Sequence, residues 1–285
     1  MFVSLVFGSS AQEANAPAPP AADPICGFIA GPHFYHETDR VKQGLSVDIF
    51  VGQPRANQPV TLRFFVHQKP RNVPVDQLQI EHERFIHVIG VRQDLKEFFH
   101  LHPVKVSPGM WEVSHTFAEA GNYKIWTDVK SRGISYSFGH PLLSVVANGA
   151  NDTKTSTSEE RAAKSPYQVT FKHSEPLAAG RTNQLQFLIR DPSGNTVETE
   201  NYLGAPMHLV IVKDDLSVYL HAHPESRGSA DSPIRFTQSF EQEGHYKLFA
   251  QFRPTNAKLP EGETVLEEFN VTVGGSVSAS NSAAR

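Results

Sequence analysis

The residues best suited to chemistry in this chain are histidines, and the chain writes them twice. Phe85–Pro103 reads FIHVIGVRQDLKEFFHLHP and Pro206–Pro224 reads PMHLVIVKDDLSVYLHAHP, aligned without a gap at an offset of 121 residues. His87, His100 and His102 recur as His208, His221 and His223, while Val91, Asp94, Leu95 and Pro103 recur as Val212, Asp215, Leu216 and Pro224. Imidazole is the commonest metal ligand among side chains. Metal ligation is therefore the chemistry these positions point to, with one three-histidine group per copy.

The spacing supports that reading. Strands near His87–Val91 and Lys96–His102 flank Arg92-Gln93-Asp94-Leu95, a hairpin connection. A turn centred between Gln93 and Asp94 puts His87 opposite His100, and one centred between Asp94 and Leu95 puts it opposite His102. In either register all three rings leave one face, because side chains alternate with period two. Opposed residues have Cβ atoms about 4.5–5.5 Å apart, close enough for imidazoles to converge on metal–nitrogen bonds of about 2.0–2.1 Å. In the second copy Met207, Leu209, Ile211, Leu220 and Ala222 form an apolar core face. The histidines belong to the opposite face, expected at the outside or rim and accessible to a ligand.

Fourth-ligand candidates in the first copy are Glu81, His82 and Glu83, where the second copy has Tyr202-Leu203-Gly204. His33 and His36, in GPHFYHE, are a weaker auxiliary pair, since Gly31-Pro32 argues against the helix on which they would share a face. His67, His115, His140, His173 and His245 do not recur and read as surface or structural residues.

The elements that must position these side chains are strands. Leu45–Phe50, Thr61–His67, Glu83–Val91, Lys96–His102, Met110–Phe117, Asn122–Val129 and Ser135–Val146 are short and rich in β-branched and aromatic residues, with Pro and Gly between them. The second half repeats the pattern at Gln168–His173, Gln184–Arg190, Met207–Lys213, Val218–Ala222, Ile234–Phe240, His245–Phe252 and Thr264–Val273. Helical periodicity is absent. Glu119-Ala120-Gly121-Asn122-Tyr123 and its repeat before Tyr246 look like the tyrosine corner of immunoglobulin-like sandwiches. The expected fold is all-β, two tandem immunoglobulin-like antiparallel β-sandwiches over residues 37–146 and 166–273. A polar linker at 147–165 and a Gly/Ser/Ala tail at 274–285 complete the chain.

Composition narrows the function. The net charge is −4 with 20% charged residues, which gives no electrostatic footprint for nucleic acid. The 19 Phe and 7 Tyr supply aromatic surface for two cores. No stretch approaches the roughly 20 apolar residues of a membrane-spanning helix. Residues 1–36 read as the end of a secretory signal and a disordered spacer. Phe2–Phe7 is apolar and Ser9-Ser10-Ala11 offers small residues for cleavage, although a positive leading region is missing. Cys26 is the single cysteine, so no intrachain disulfide forms, and it lies outside both repeats.

The hairpin resembles a loosely defined group of secreted bacterial proteins, labelled YtkA-like or heavy-metal-binding, that carry MHL-x-x-V-x-x-DL-x-x-x-x-H-x-HP. The match covers His87–Pro103 with the preceding EHERFIH, and Tyr202–Pro224; the GNYKIW and GHYKLF segments fit the same pattern. Ile86-His87-Val88 replaces MHL in the first copy. The resemblance implies an immunoglobulin-like fold and periplasmic copper handling.

The leading expectation is a secreted or periplasmic, non-enzymatic metal-binding protein serving buffering, delivery or resistance. One copper or zinc ion would sit in each domain, and a periplasmic or membrane metal-transport protein is the expected partner class. Three imidazoles suit Cu(II), Zn(II) or Ni(II), with copper tightest. Three Met in the whole chain argue against a thioether-rich Cu(I) carrier. Two alternatives stand beside it: an extracellular interaction module with structural histidines, and a three-histidine zinc hydrolase or hydratase.

Overall fold

In the computed structural model the described residues are 33–36, 43–148, 165–225, 228, 232–260 and 262–275. Cys26, the expected signal segment, most of the linker and the tail lie outside them. Among the described residues there is no helix, and so none long and apolar enough to cross a membrane.

The first domain contains β1 (His33–His36), β2 (Gly44–Gly52), β3 (Pro59–Lys69), β4 (Val73–Pro74), β5 (Ile86–Arg92), β6 (Phe98–Leu101), β7 (Val104–Ser107), β8 (Met110–Thr116), β9 (Gly121–Ser131), β10 (Ile134–Gly139) and β11 (Leu143–Val145). One sheet has the order β1-β2-β3-β8-β7 with β4 on β3, and the other β10-β9-β5-β6 with β11 on β9. The second domain contains β12 (Gln168–His173), β13 (Thr182–Arg190), β14 (Thr199–Glu200), β15 (His208–Lys213), β16 (Tyr219–Ala222), β17 (Ile234–Ser239), β18 (Gly244–Pro254) and β19 (Val265–Val273). Its sheets run β12-β13-β17 and β14-β18-β15-β16, with β19 on β18. The protein is all-β, two tandem antiparallel sandwiches.

Each core forms where alternate residues of facing sheets meet. Val47, Ile49 and Val51 of β2 and Leu62, Phe64 and Val66 of β3 pack on Ile86, Val88 and Ile125 from the other sheet. Leu185, Phe187 and Ile189 meet Leu209, Ile211 and Leu248 in the second domain. The expected tyrosine corners are present: the Tyr123 hydroxyl donates to Glu119 O and the Tyr246 hydroxyl to Gln242 O, both at 2.8 Å.

Some expected strands change. Ser135–Val146 is two strands, β10 and β11, separated by His140, Pro141 and Leu142, of which Pro141 lacks an amide for the ladder. β5 begins at Ile86 rather than Glu83, because a tight turn occupies Glu81–Arg84.

β5 and β15 are buried on both faces, which is unusual for antiparallel strands. Their second faces pack against each other across the two domains. Ile89, Val91, Leu95 and Trp126 meet Val210, Val212 and Phe249 in a third apolar cluster. Trp126 stacks on Tyr219 with centroids 4.8 Å apart, and Phe249 stacks on Phe98 at 4.6 Å. Trp126 corresponds to Phe249 in the repeat and Phe98 to Tyr219, so the contacts exchange as in a two-fold dimer interface.

Candidate metal centre

Each trio is built by one hairpin and the turn that precedes it. In β5–β6 the register pairs Ile89 with His100 and Val88 with Leu101, and in β15–β16 it pairs Val210 with His221 and Leu209 with Ala222. Both registers continue to His87 opposite His102 and His208 opposite His223, the second of the two arrangements the sequence allowed. The connection is shaped by its recurring Asp-Leu. Asp94 Oδ1 accepts Lys96 N–H at 3.1 Å and Asp215 Oδ1 accepts Ser217 N–H at 2.9 Å. Leu95 and Leu216 then take positive φ, 58° and 63°. That conformation costs an L-residue about 1–2 kcal/mol, offset here by placing both side chains in the interdomain cluster.

The preceding turn fixes the first ligand. Glu81–Arg84 and Tyr202–Ala205 each close with reciprocal backbone hydrogen bonds. Their central residues have positive φ: His82 and Glu83 at 48° and 64°, Leu203 and Gly204 at 50° and 76°. This is the backbone of a type I′ turn. The carbonyl opening each turn accepts an imidazole N–H, Glu81 O from His87 Nε2 at 2.9 Å and Tyr202 O from His208 Nε2 at 2.8 Å. Both rings are thereby held with Nδ1 bare.

The nitrogens converge. His87 Nδ1 is 3.1 Å from His100 Nε2, which is 3.2 Å from His102 Nε2. His208 Nδ1 is 3.3 Å from His221 Nε2 and 3.1 Å from His223 Nε2. Each trio offers three ring nitrogens within 4.8 Å of one another. Tetrahedral bonds of about 2.0–2.1 Å would separate nitrogens by about 3.3–3.4 Å.

The second ligand of each trio is oriented by the other domain. His221 Nδ1 donates to Asp128 Oδ2 at 3.1 Å, and His100 Nδ1 to Gln251 Oε1 at 2.9 Å. Asp128 pairs with His87 in the β5–β9 ladder and Gln251 with His208 in the β15–β18 ladder. Burial opposes ionisation of Asp128, but hydrogen bonds from His221, Ser137 and Tyr219 outweigh it and hold its carboxyl below the usual range. Burial drives His87 down to about 4 and His102 and His208 to about 3, and lowers His100 and His223 as well. These rings are neutral at pH 7, the state that ligates.

Their exposure corrects the sequence reading. The histidine face is not an outer face: His87 is 3% exposed and His208 fully buried, because the other domain covers it. The reason is that the face also carries Ile89, Val91 and Trp126, enough apolar surface to drive docking. The fourth-ligand candidates also move. The Glu81 carboxylate pairs with Lys130 at 3.1 Å and accepts from Ser135 at 2.8 Å. His82 crosses to the other trio and stacks on His223 with centroids 3.4 Å apart. Asp128 and Gln251 were missed; their signal was matching positions on two recurring Gly-x-Tyr-Lys strands.

The remaining histidines have other roles. His67 Nε2 is 2.8 Å from Asp48 Oδ2 in the first core, and His140 Nε2 is 2.9 Å from Thr127 Oγ1. His115 packs between the Phe99 and Phe117 rings, His173 Nδ1 donates to Ser174 O, and His245 Nδ1 faces Thr272 Oγ1. His33 and His36 delimit β1.

Comparison with known proteins gives a family without a known activity. Residues 39–140 and 162–274 each match the family described as "Domain of unknown function (DUF8832)". No curated protein matches the chain. Similar solved structures include the native conformation of E. coli alpha-2-macroglobulin, 11% identical over 81% of this chain and 17% of that one. Red sea bream transglutaminase is 10% identical over 82% of this chain and 32% of its own. Both have a TM-score of 0.24, and the chain spans less than a third of each. The chain belongs to the DUF8832 family and carries two copies of its domain.

Proposed function

We propose that this member of the DUF8832 family is a secreted or periplasmic metal-binding protein that holds one divalent ion per domain, copper by preference and zinc as the second choice. The ligands are His87, His100 and His102 in the first domain and His208, His221 and His223 in the second. Its role is to buffer, deliver or detoxify the ion rather than to turn over a substrate.

One observation carries the reading. His87 Nε2–H is committed to Glu81 O and His100 Nδ1–H to Gln251 Oε1, so in neutral rings the facing Nδ1 and Nε2 both present lone pairs at 3.1 Å. Such a contact is repulsive unless a proton or a metal ion lies between the nitrogens. Burial disfavours the protonated forms of both His87 and His100. A metal ion satisfies all three nitrogens together.

Copper is favoured by the order of divalent affinities for imidazole and by the hairpin's resemblance to the YtkA-like, heavy-metal-binding group. The location rests on Phe2–Phe7 and the small residues that follow. A metal-transport protein of the same compartment is the partner class such a carrier serves.

The other readings meet specific obstacles. An interaction module that used the histidines as its contact surface would need that face exposed, and the partner domain covers it. A hydrolase would need a free base beside the ion. A cleft of about 310 Å³ does reach His87, His221 and His223, but its carboxylates, Glu81 and Asp128, are engaged with Lys130 and His221, and its other base, His82, is stacked on the ligand His223.

Titration of the purified protein with Cu(II) and Zn(II) tests the proposal. Two ions per chain are expected, lost when His100, His102, His221 and His223 become alanine. Absence of binding, or binding indifferent to those substitutions, overturns it. Elemental analysis of protein taken from its native compartment decides between copper and zinc.

A further inference from the structure

The two trios are related by the repeat, yet their surroundings are not equal. The residue behind His221 is a carboxylate, Asp128, and the residue at the matching position behind His100 is an amide, Gln251. Asp128 is itself gripped: the Tyr219 hydroxyl donates to its Oδ2 at 2.6 Å and the Ser137 hydroxyl to its Oδ1 at 2.6 Å. A ligating imidazole that donates to a carboxylate is held in one tautomer and made more basic than one that donates to an amide. The first domain also lends His82 to the second trio, where it stacks on His223. The residue matching His82 in the second domain is Leu203, which has no ring to offer.

The trios are also neighbours. His100 and His221 have centroids 5.1 Å apart, and His87 and His221 5.6 Å. An ion bonded at about 2.0 Å to a ring nitrogen lies about 3.2 Å from that ring's centroid. Two ions held through His100 and His221 are therefore at most about 12 Å apart. Partly buried charges at that range are only weakly screened by salt. The second ion to arrive meets the charge of the first.

We infer that the two trios are one asymmetric two-ion centre that fills in order, the His208–His221–His223 trio first, with Asp128 and Gln251 as the positioning residues that set the difference. This rests on the metal-binding reading above. Asp128 also stands beside His87 in its own sheet, so its charge favours an ion in either trio. Its hydrogen bond reaches only His221 among the six ligands, and that contact makes the second-domain trio the tighter one.

The test is stepwise titration of the full chain with Zn(II) alone, by calorimetry with a competing chelator. Wild-type protein is expected to show two steps at least tenfold apart. H208A should remove the tight step and H87A the weak one. D128N should weaken the tight step by about 10–100-fold, the usual effect of losing such a supporting residue. Q251E, which adds a carboxylate behind His100 without removing any contact of Asp128, should tighten the weak step and narrow the gap. It keeps the test decisive if D128N disturbs folding. Two equal steps in wild-type protein, a gap unmoved by both D128N and Q251E, or a tight step that survives H208A overturns the ordering while leaving metal binding in place. A wild-type chain that takes up no zinc and no Cu(II) overturns the metal-binding reading and the ordering with it.

Discussion

His221 Nδ1 donates to the Asp128 carboxylate across 3.1 Å, although 93 residues separate them and they belong to different sandwiches. Gln251 repays the contact by accepting from His100 at 2.9 Å. Each domain thus supplies three ligands of its own and the residue that orients one ligand of its neighbour. Docking of the domains therefore supplies one orienting hydrogen bond to each trio, and perturbing either should register in the other.

Trp126 is the place to perturb docking. Its ring stacks on Tyr219 at 4.8 Å and lies 6% exposed. Trp126→Ala should cost about 3 kcal/mol in urea unfolding. The same variant should bind Zn(II) more weakly at both trios, because Asp128 and Gln251 are no longer held in place. Unchanged zinc affinity in a destabilised W126A would separate the interface from the sites.

Metal should stabilise the fold. A ligand that binds the native state alone, at a hundredfold excess over its Kd, contributes about 2.7 kcal/mol per site. Scanning calorimetry with and without Zn(II) should show the melting temperature rise, and the H102A/H223A double variant should lose most of that rise.

The tyrosine corners should contribute unequally. Tyr246 donates its hydroxyl proton to Gln242 O alone, whereas the single Tyr123 proton is shared between Glu119 O and the Glu97 carboxylate. Y246F is expected to cost about 1 kcal/mol and Y123F about 2 kcal/mol or more, since bonds to charged groups are the stronger ones. Equal losses in chemical denaturation would contradict this ranking.

Acid should destabilise the protein partly through His115, which is not one of the six ligands and packs against Phe99 and Phe117. Burial lowers it from 6.5 to about 4. A depressed histidine is neutral in the fold while the unfolded chain takes up a proton. Its stabilising contribution is complete above pH 6.5 and is lost as pH falls toward about 4. The urea midpoint of metal-free H115F should drop less between pH 7 and pH 4.5 than that of wild-type protein, under identical salt.

Much of this architecture is legible in the chain. Period-two alternation in Met207–Val212 separates a core face from a histidine face without coordinates, because a strand has only two faces to assign. The recurrence of Gly-x-Tyr-Lys announces the corners, whereas the Asp-Leu turn left His87 opposite either His100 or His102, and only the ladder register decided for His102. The break at His140-Pro141 was less legible, because the flanking residues are as strand-like as those of a continuous strand.

The sequence by itself determined that two sandwiches each carry three histidines on one face of one hairpin, since duplication and strand periodicity are local properties. Tertiary structure alone decided that these faces meet. Ile89, Val91, Val210 and Val212 show that the second face is apolar, but not what covers it. The assignment of Asp128 to His221, Gln251 to His100 and His82 to His223 follows from the docking of two domains. Such contacts depend on how finished surfaces fit together, which spacing along a strand does not encode.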